Sequence, residues 1–312
     1  MSARHGIARK CRLALAALVG GSAGLGLGFT AAHGGPAPDS VPGGAPAVVI
    51  QAHRGAGRLA PENTMAAFTK GWELGAVPES DIRMTKDDVL VAFHDATFDR
   101  LIGDLPPALK GKGVRDLTWE ELTKLAVRTP TGSGPVPKIA EVFDAMRGHP
   151  ERRFYIDVKE VSLDALAALS KAHGVEEPQL FLASPDPALL RKWKKLLPRS
   201  ETLLWMGGKE ADLAKRLDAL RAEGFAGITQ IQIHVHLTDL SAKEPFTPST
   251  AFLRGVAEEL KPRHILYQAF PWDCKDPAVF ARLMELGVES FATDEPEEAF
   301  KGIRLFRERS PR

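Results

Sequence analysis

GAVPESDIRMTKDDVLVAFHD, residues 75–95, is the stretch that decides how this chain folds. Val77–Met84 reads as a strand, Thr85–Asp88 as a turn, and Val89–Phe93 as an apolar run folding back on that strand. Glu79 and Asp81 lie two apart within the strand, and a period of two puts both side chains on one face. If that face lines the inside of a closed sheet, the two carboxylates repel and are costly to desolvate. A divalent cation removes both objections; a solvated strand face or salt bridges with Arg83 would remove them as well. His94 closes the second run, with Asp95 beside it and placed to hold its ring.

Upstream, Val48–Ala52 is a candidate strand that delivers His53, Arg54 and Gly55, the start of HRGAGRLAPENT. Arginine presents a planar fork that matches phosphate oxygens. Downstream, RRFYIDVKE (152–160) places Asp157 late in another candidate strand, with Lys159 on the same face. Two histidines near a cation form an acid–base pair, because imidazole titrates near neutral pH. Three carboxylates without a cysteine or histidine cluster imply hard oxygen ligation, hence Ca²⁺ or Mg²⁺ rather than zinc.

The rest of the chain supplies a scaffold. Further candidate strands are 179–183, 202–206, 228–235, 264–268 and 290–293. Candidate helices alternate with them at 64–74, after a possible Asn63 cap, and at 163–173, 188–197, 211–222, 250–260, 278–286 and 297–306. Eight strand–helix units over roughly 265 residues predict a (β/α)8 TIM barrel. An open doubly wound sheet is the rival, but HRGAGRLAPEN lacks the glycine spacing of a dinucleotide loop. Between roughly residues 96 and 150 lies an insertion, with a capping-box start at Thr118 and Glu121 and a helix near 140–147. Insertions in barrels sit in loops, so this one is expected to wall the pocket.

The ends read differently. Residues 1–32 carry a basic start (Arg4, Arg9, Lys10, Arg12), an apolar Gly/Ala-rich run and small residues near Ala31, the pattern of a secretory signal peptide. Residues 33–46 form a Gly/Pro/Ala-rich tether, and the barrel domain is expected over 47–312. A secreted or periplasmic location follows, with no membrane span after processing. Only Cys274 would then remain, so no internal disulfide supports the fold. The net charge of +1 argues against nucleic acid as a partner, and any anionic ligand must be met by local cations.

These motifs together resemble the glycerophosphodiester phosphodiesterase family. HRG and PENT are similar to its opening motif, GAVPESDIRMTKDDVLVAFHD to its spaced Glu–Asp followed by His-Asp, and LGVESFATDEP (286–296) to its closing motif. FDR (98–100), LTWEEL (117–122) and FYIDVK also fit. The resemblance implies hydrolysis of small-molecule glycerophosphodiesters, such as glycerophosphocholine, to sn-glycerol 3-phosphate and an alcohol. It implies His53 and His94 as acid and base, and Glu79, Asp81 and Asp157 as ligands of one divalent cation. It also implies Arg54 and Lys159 on the phosphate, with Glu62 as an accessory group. Asp157 stands where the family usually has Glu, and YQAFPWD (267–273) replaces its usual aromatic segment. Rival readings are a sphingomyelinase D or lysophospholipase D-like enzyme acting on lipids, a metal-independent phosphoinositide lyase, and an inactive secreted binding protein. Beyond these roles, His234 and His236 read as barrel-lining or packing residues, with a second metal site or substrate contact as the alternative, Trp205, Phe270 and Trp272 as pocket or packing aromatics, and Asp294 as a cap of the last helix or a support for the site.

Overall fold

Strands wrapped by helices on the outside and filled by side chains within are buried on both faces, and that pattern recurs along this chain. The computed structural model describes residues 48–309. The expected leader and tether therefore lie outside the described residues.

In chain order the strands are β1 (Val49–Ala52), β2 (Val77–Met84), β3 (Leu90–Ala92), β4 (Ala126–Thr129), β5 (Gly132–Pro135), β6 (Phe154–Val158), β7 (Leu180–Ser184), β8 (Glu201–Met206), β9 (Gln230–Leu237), β10 (Phe246–Thr247), β11 (Leu266–Pro271) and β12 (Ser290–Thr293). The helices are α1 (Met65–Glu73), α2 (Trp119–Leu122), α3 (Ile139–Met146), α4 (Leu163–Ala172), α5 (Pro187–Leu196), α6 (Glu210–Ala222), α7 (Thr250–Leu260), α8 (Pro277–Glu285) and α9 (Pro296–Arg309). Eight strands pair in parallel in the order β1, β12, β11, β9, β8, β7, β6, β2, and β1 also pairs with β2, which closes the barrel. This is the predicted (β/α)8 barrel.

Local chemistry sets the boundaries. Asp186-Pro187 and Asp276-Pro277 start α5 and α8 in the same way: the aspartate accepts from the N–H two residues on, and proline takes the first helical position. β3 runs antiparallel to β2, as the fold-back reading predicted. For α1 the cap is Thr64, whose hydroxyl accepts from Ala67 N–H. The Asn63 cap expected from the sequence is thus corrected; Asn63 has a positive φ of 54° and turns into the barrel mouth instead.

Two apolar layers hold the assembly. Phe68, Phe143, Phe154, Trp193, Phe280 and Phe291 fill the space between strands and helices. Each such burial stabilises the fold by about 1.5–3 kcal/mol. The insertion carries a core of its own around Val91, Phe93, Phe98, Leu101, Leu122 and Val127. It also contains the β4–β5 hairpin, which the sequence reading did not include. The barrel interior is half polar. Tyr155, Phe181 and Leu203 pack there, while Gln51, Gln230, Gln232 and Gln268 are buried beside them. Their amides are paired: Tyr155 Oη donates to Gln230 Oε1 at 2.7 Å, and Gln268 Nε2 donates to Ser290 Oγ at 3.0 Å.

Candidate active site

His53 leaves the end of β1 with its N–H on Thr293 O at 3.0 Å. Its Nδ1 meets Asp294 Oδ1 at 2.7 Å. Asp294 thus holds a site histidine, which is the supporting role its sequence position offered and not the favoured helix cap; α9 begins two residues later. Gly57 makes the approach possible. Its φ is +59°, and a Cβ there would lie 2.1 Å from Asp294 O, so no side chain is tolerated. Burial alone would lower the His53 pKa, but Asp294 and Glu79 outweigh it and raise it above the ordinary imidazole value.

Arg54 adopts a left-handed backbone, φ 52°, that turns its N–H onto Glu79 Oε2 at 2.7 Å. Its Nη1 donates to Glu62 Oε1 at 2.9 Å. Its Nε, 3.7 Å from Asp81 Oδ2, is buried without a hydrogen-bond partner. Asn63, absent from the residues singled out in the sequence, fixes β2: Nδ2 donates to Asp81 Oδ2 at 3.2 Å, and its Oδ1 accepts from Asp81 N–H at 3.1 Å and Ser80 Oγ at 2.8 Å.

Glu79 and Asp81 are each 3% exposed. Burial and the Asp81 charge push Glu79 up to about 8. Burial would raise Asp81 too, but Lys159, His94 and Arg54 together hold it below its ordinary value. The register sets Asp157 directly beside Asp81 on the neighbouring strand. Burial lifts Asp157 to about 6 despite Lys159, whose Nζ sits 3.0 Å from Asp157 Oδ2 and 3.2 Å from Asp81 Oδ1.

Three carboxylates in this pocket face two fixed cations. Glu79 and Asp157, raised by burial and by the charge of Asp81, are the setting that a divalent cation relieves, and carboxylate oxygens are the donors that Ca²⁺ and Mg²⁺ take. The donor chemistry therefore fits such an ion. Among the described residues no three His, Cys, Asp or Glu side chains already converge as a cradle, and Lys159 occupies the gap between Asp81 and Asp157.

His94 mirrors His53. Its Nδ1 meets Asp95 Oδ1 at 2.6 Å, and its carbonyl accepts from Arg83 Nε and Nη2 at 3.1 and 2.8 Å. Arg83 is thus spent on the backbone rather than on Glu79 or Asp81. Burial keeps the His94 pKa below the ordinary value. Asp95 is held at about 2: burial would raise it, but bonds from Arg100 and His94 prevail.

These groups line one cavity of about 160 Å³. One wall is charged: His53, Arg54, Glu79, Asp81, His94, Asp157 and Lys159. The other is aromatic. Trp205 stacks on His234 at 5.5 Å, and Phe270 on Trp272 at 4.6 Å. His234 is pushed down to about 4 by burial first and by His236 next, so it stays neutral; its Nε2 lies 3.2 Å from Gln232 Oε1. The polar interior could have been suspected from Gln230 and Gln232 at period two in β9. A second hollow lies outside the barrel between α5 and α6, where Arg191 and Arg216 are already engaged.

A family model described as the glycerophosphoryl diester phosphodiesterase family matches residues 53–298. A glycerophosphodiester phosphodiesterase of Caldanaerobacter subterraneus is 28% identical over 82% of this chain and 98% of its own length. The fold is shared with a glycerophosphodiester phosphodiesterase from Agrobacterium tumefaciens (TM-score 0.61, 23% identity, 81% of this chain and 99% of that one). It is shared also with an Oleispira antarctica phosphodiesterase solved with the product sn-glycerol-3-phosphate (TM-score 0.59, 19% identity, 82% and 96%).

Proposed function

Because this chain belongs to the glycerophosphoryl diester phosphodiesterase family, we propose that its cavity cleaves water-soluble glycerophosphodiesters to sn-glycerol 3-phosphate and an alcohol with His94 as base and His53 as acid. The observation that carries this reading is the pairing of two aspartate-anchored histidines with two buried acids and the half-buried Asp157 in one cavity.

Each histidine has its Nδ1 committed to a carboxylate, so Nε2 is the atom left for the substrate. His94, with its lowered pKa, is neutral at neutral pH and accepts the proton of the attacking hydroxyl. His53, with its raised pKa, holds a proton for the leaving alkoxide. Arg54 and Lys159, which both line the cavity, bring positive charge to the phosphoryl oxygens where negative charge gathers in the transition state. A Ca²⁺ or Mg²⁺ ion held by Glu79, Asp81 and Asp157 would supply Lewis-acid stabilisation of that charge. Glu62 keeps Arg54 in place. The aromatic wall meets the carbon-rich face of the departing alcohol or glycerol.

The lipid-directed rival needs an apolar rim for acyl chains. Among the described residues Leu237, at 38%, is the large apolar side chain left exposed. The cavity therefore favours small soluble diesters. Comparing kcat/KM for glycerophosphocholine and lysophosphatidylcholine, with sn-glycerol 3-phosphate detected as product, tests this. We expect a preference of roughly tenfold or more for glycerophosphocholine. An equal or reversed preference would move the assignment to lipids.

A further inference from the structure

Arg100 stands early in the insertion, outside the cavity lining, with a side chain 48% exposed. An exposed arginine at a rim is ordinarily worth little, but its contacts set this one apart. Nε donates to Asp95 Oδ2 at 2.7 Å and Nη2 to Asp95 Oδ1 at 2.7 Å. Nη1 donates to Glu62 Oε2 at 2.9 Å and Nη2 to Glu62 Oε1 at 2.8 Å. All three guanidinium nitrogens are committed, which leaves Arg100 no free fork for substrate. Both acceptors act on the site: Asp95 anchors the His94 ring, and Glu62 anchors Arg54.

The backbone that carries Arg100 is fixed by the insertion's own core. Phe98 and Leu101 are buried on either side of it. Phe98 N–H donates to Lys112 O at 2.8 Å, and its ring meets Phe93, the residue before His94, edge-on at 5.5 Å. The other histidine has a weaker counterpart: Arg58 lies 3.9 Å from Asp294 Oδ2 and spends its closer contacts on Asp273 and Glu295.

We infer that Arg100 is a positioning residue through which the insertion sets the geometry of catalysis, one fork orienting His94 through Asp95 and the other orienting Arg54 through Glu62. The inference rests on the roles of His94 and Arg54 proposed above. The insertion was expected to wall the pocket, but the cavity is lined by none of its residues; its function is instead that a separately packed core delivers one guanidinium that locks two loops of the barrel mouth in register. The two forks act on different steps. The Asp95 fork reaches the proton-transfer group and so affects kcat, whereas the Glu62 fork reaches a phosphate donor and so affects KM.

The test is steady-state hydrolysis of glycerophosphocholine by Arg100→Ala, Arg100→Lys, Asp95→Asn, Glu62→Gln and the two double variants that combine Arg100→Ala with each acid change, at equal metal supplementation. Outer partners of this kind are typically worth 10–100-fold. Arg100→Ala should lose roughly that in kcat/KM, split between kcat and KM. Asp95→Asn should lower mainly kcat, and Glu62→Gln should raise mainly KM. Adding Arg100→Ala to Asp95→Asn should change kcat by less than about threefold, because coupled neighbours are not additive. Arg100→Lys, which cannot fork to both acids, should fall between wild type and Arg100→Ala. Arg128→Ala, which removes an exposed pair with Asp104 on the same insertion, should match wild type. Arg100→Ala or Arg100→Lys within twofold of wild type in both constants would overturn the inference, as would losses that multiply independently in the double variants. If Arg100→Ala does not fold, as read by circular dichroism, Arg100→Lys decides by the same limits. His94→Ala, run alongside, separates the two failures. An active His94→Ala sinks the acid–base reading itself, whereas an inactive one beside an unaffected Arg100→Ala sinks only the role given to Arg100.

Discussion

His94→Ala should lower kcat for glycerophosphocholine by roughly 10²–10⁴-fold, and His53→Ala by a similar factor, because a positioned acid or base contributes that much to a proton-transfer step. The factor corresponds to about 2.7–5.4 kcal/mol of barrier. What separates the two variants is the leaving group. His53 is assigned as acid because Asp294 and Glu79 keep its pKa above the ordinary value. A diester of 4-nitrophenol, whose alkoxide needs no proton, should therefore largely restore His53→Ala and leave His94→Ala slow. The same assignment fixes the pH profile. Activity rises as His94 loses its proton on the acidic side, below the ordinary imidazole range, and falls as His53 loses its proton on the alkaline side. His53→Ala should flatten the alkaline limb only. Restoration of His94→Ala by 4-nitrophenol instead would exchange the two roles, and a variant within a few-fold of wild type would remove that histidine from the chemistry.

The second large effect is expected at the buried acids. Asp81→Asn keeps the shape of the side chain and an oxygen for Asn63 Nδ2, yet removes the charge that Lys159 and Arg54 face. Glu79→Gln likewise keeps an acceptor for the Arg54 N–H. Each should fold and each should lose roughly 10²–10³-fold in kcat/KM, the scale for removing one preorganised charge partner from a reaction centre. The two losses should combine less than multiplicatively, because both acids serve one charge-stabilising cluster. Variants that fold, as judged by circular dichroism, and hydrolyse at near wild-type rate would take the two carboxylates out of the site.

Much of this was legible before any coordinates. The strand carrying Glu79 and Asp81 runs over the predicted residues, as do β6 and β12, because apolar runs bounded by turn residues leave little choice of period. Closure of the barrel followed from the count of units. What escaped the sequence has a common cause: contacts made across long separations. Asn63 precedes an apolar helix and looks like its cap, yet its amide is worth more against Asp81, eighteen residues away. Asp294 looks like the start of α9, but the closed sheet brings it beside His53, 241 residues earlier. In the β4–β5 hairpin β5 is Gly-Ser-Gly-Pro, which carries no strand signal, and β4 is only four residues, Ala126–Thr129; Val127, buried in the insertion core, holds it in place. Arg100 was visible only as part of a motif. Its two forks depend on the loop after β1 and the loop after β3 meeting in space.

The central claim is that three clustered acids, Glu79, Asp81 and Asp157, and two aspartate-anchored histidines form a cation-assisted phosphodiesterase site. Hydrolysis of glycerophosphocholine, followed by release of sn-glycerol 3-phosphate, should vanish when the enzyme is treated with excess EDTA and dialysed. It should return on addition of Ca²⁺ or Mg²⁺, but not in Asp81→Asn. A rate that persists unchanged after chelation, or that returns equally in Asp81→Asn, would contradict it.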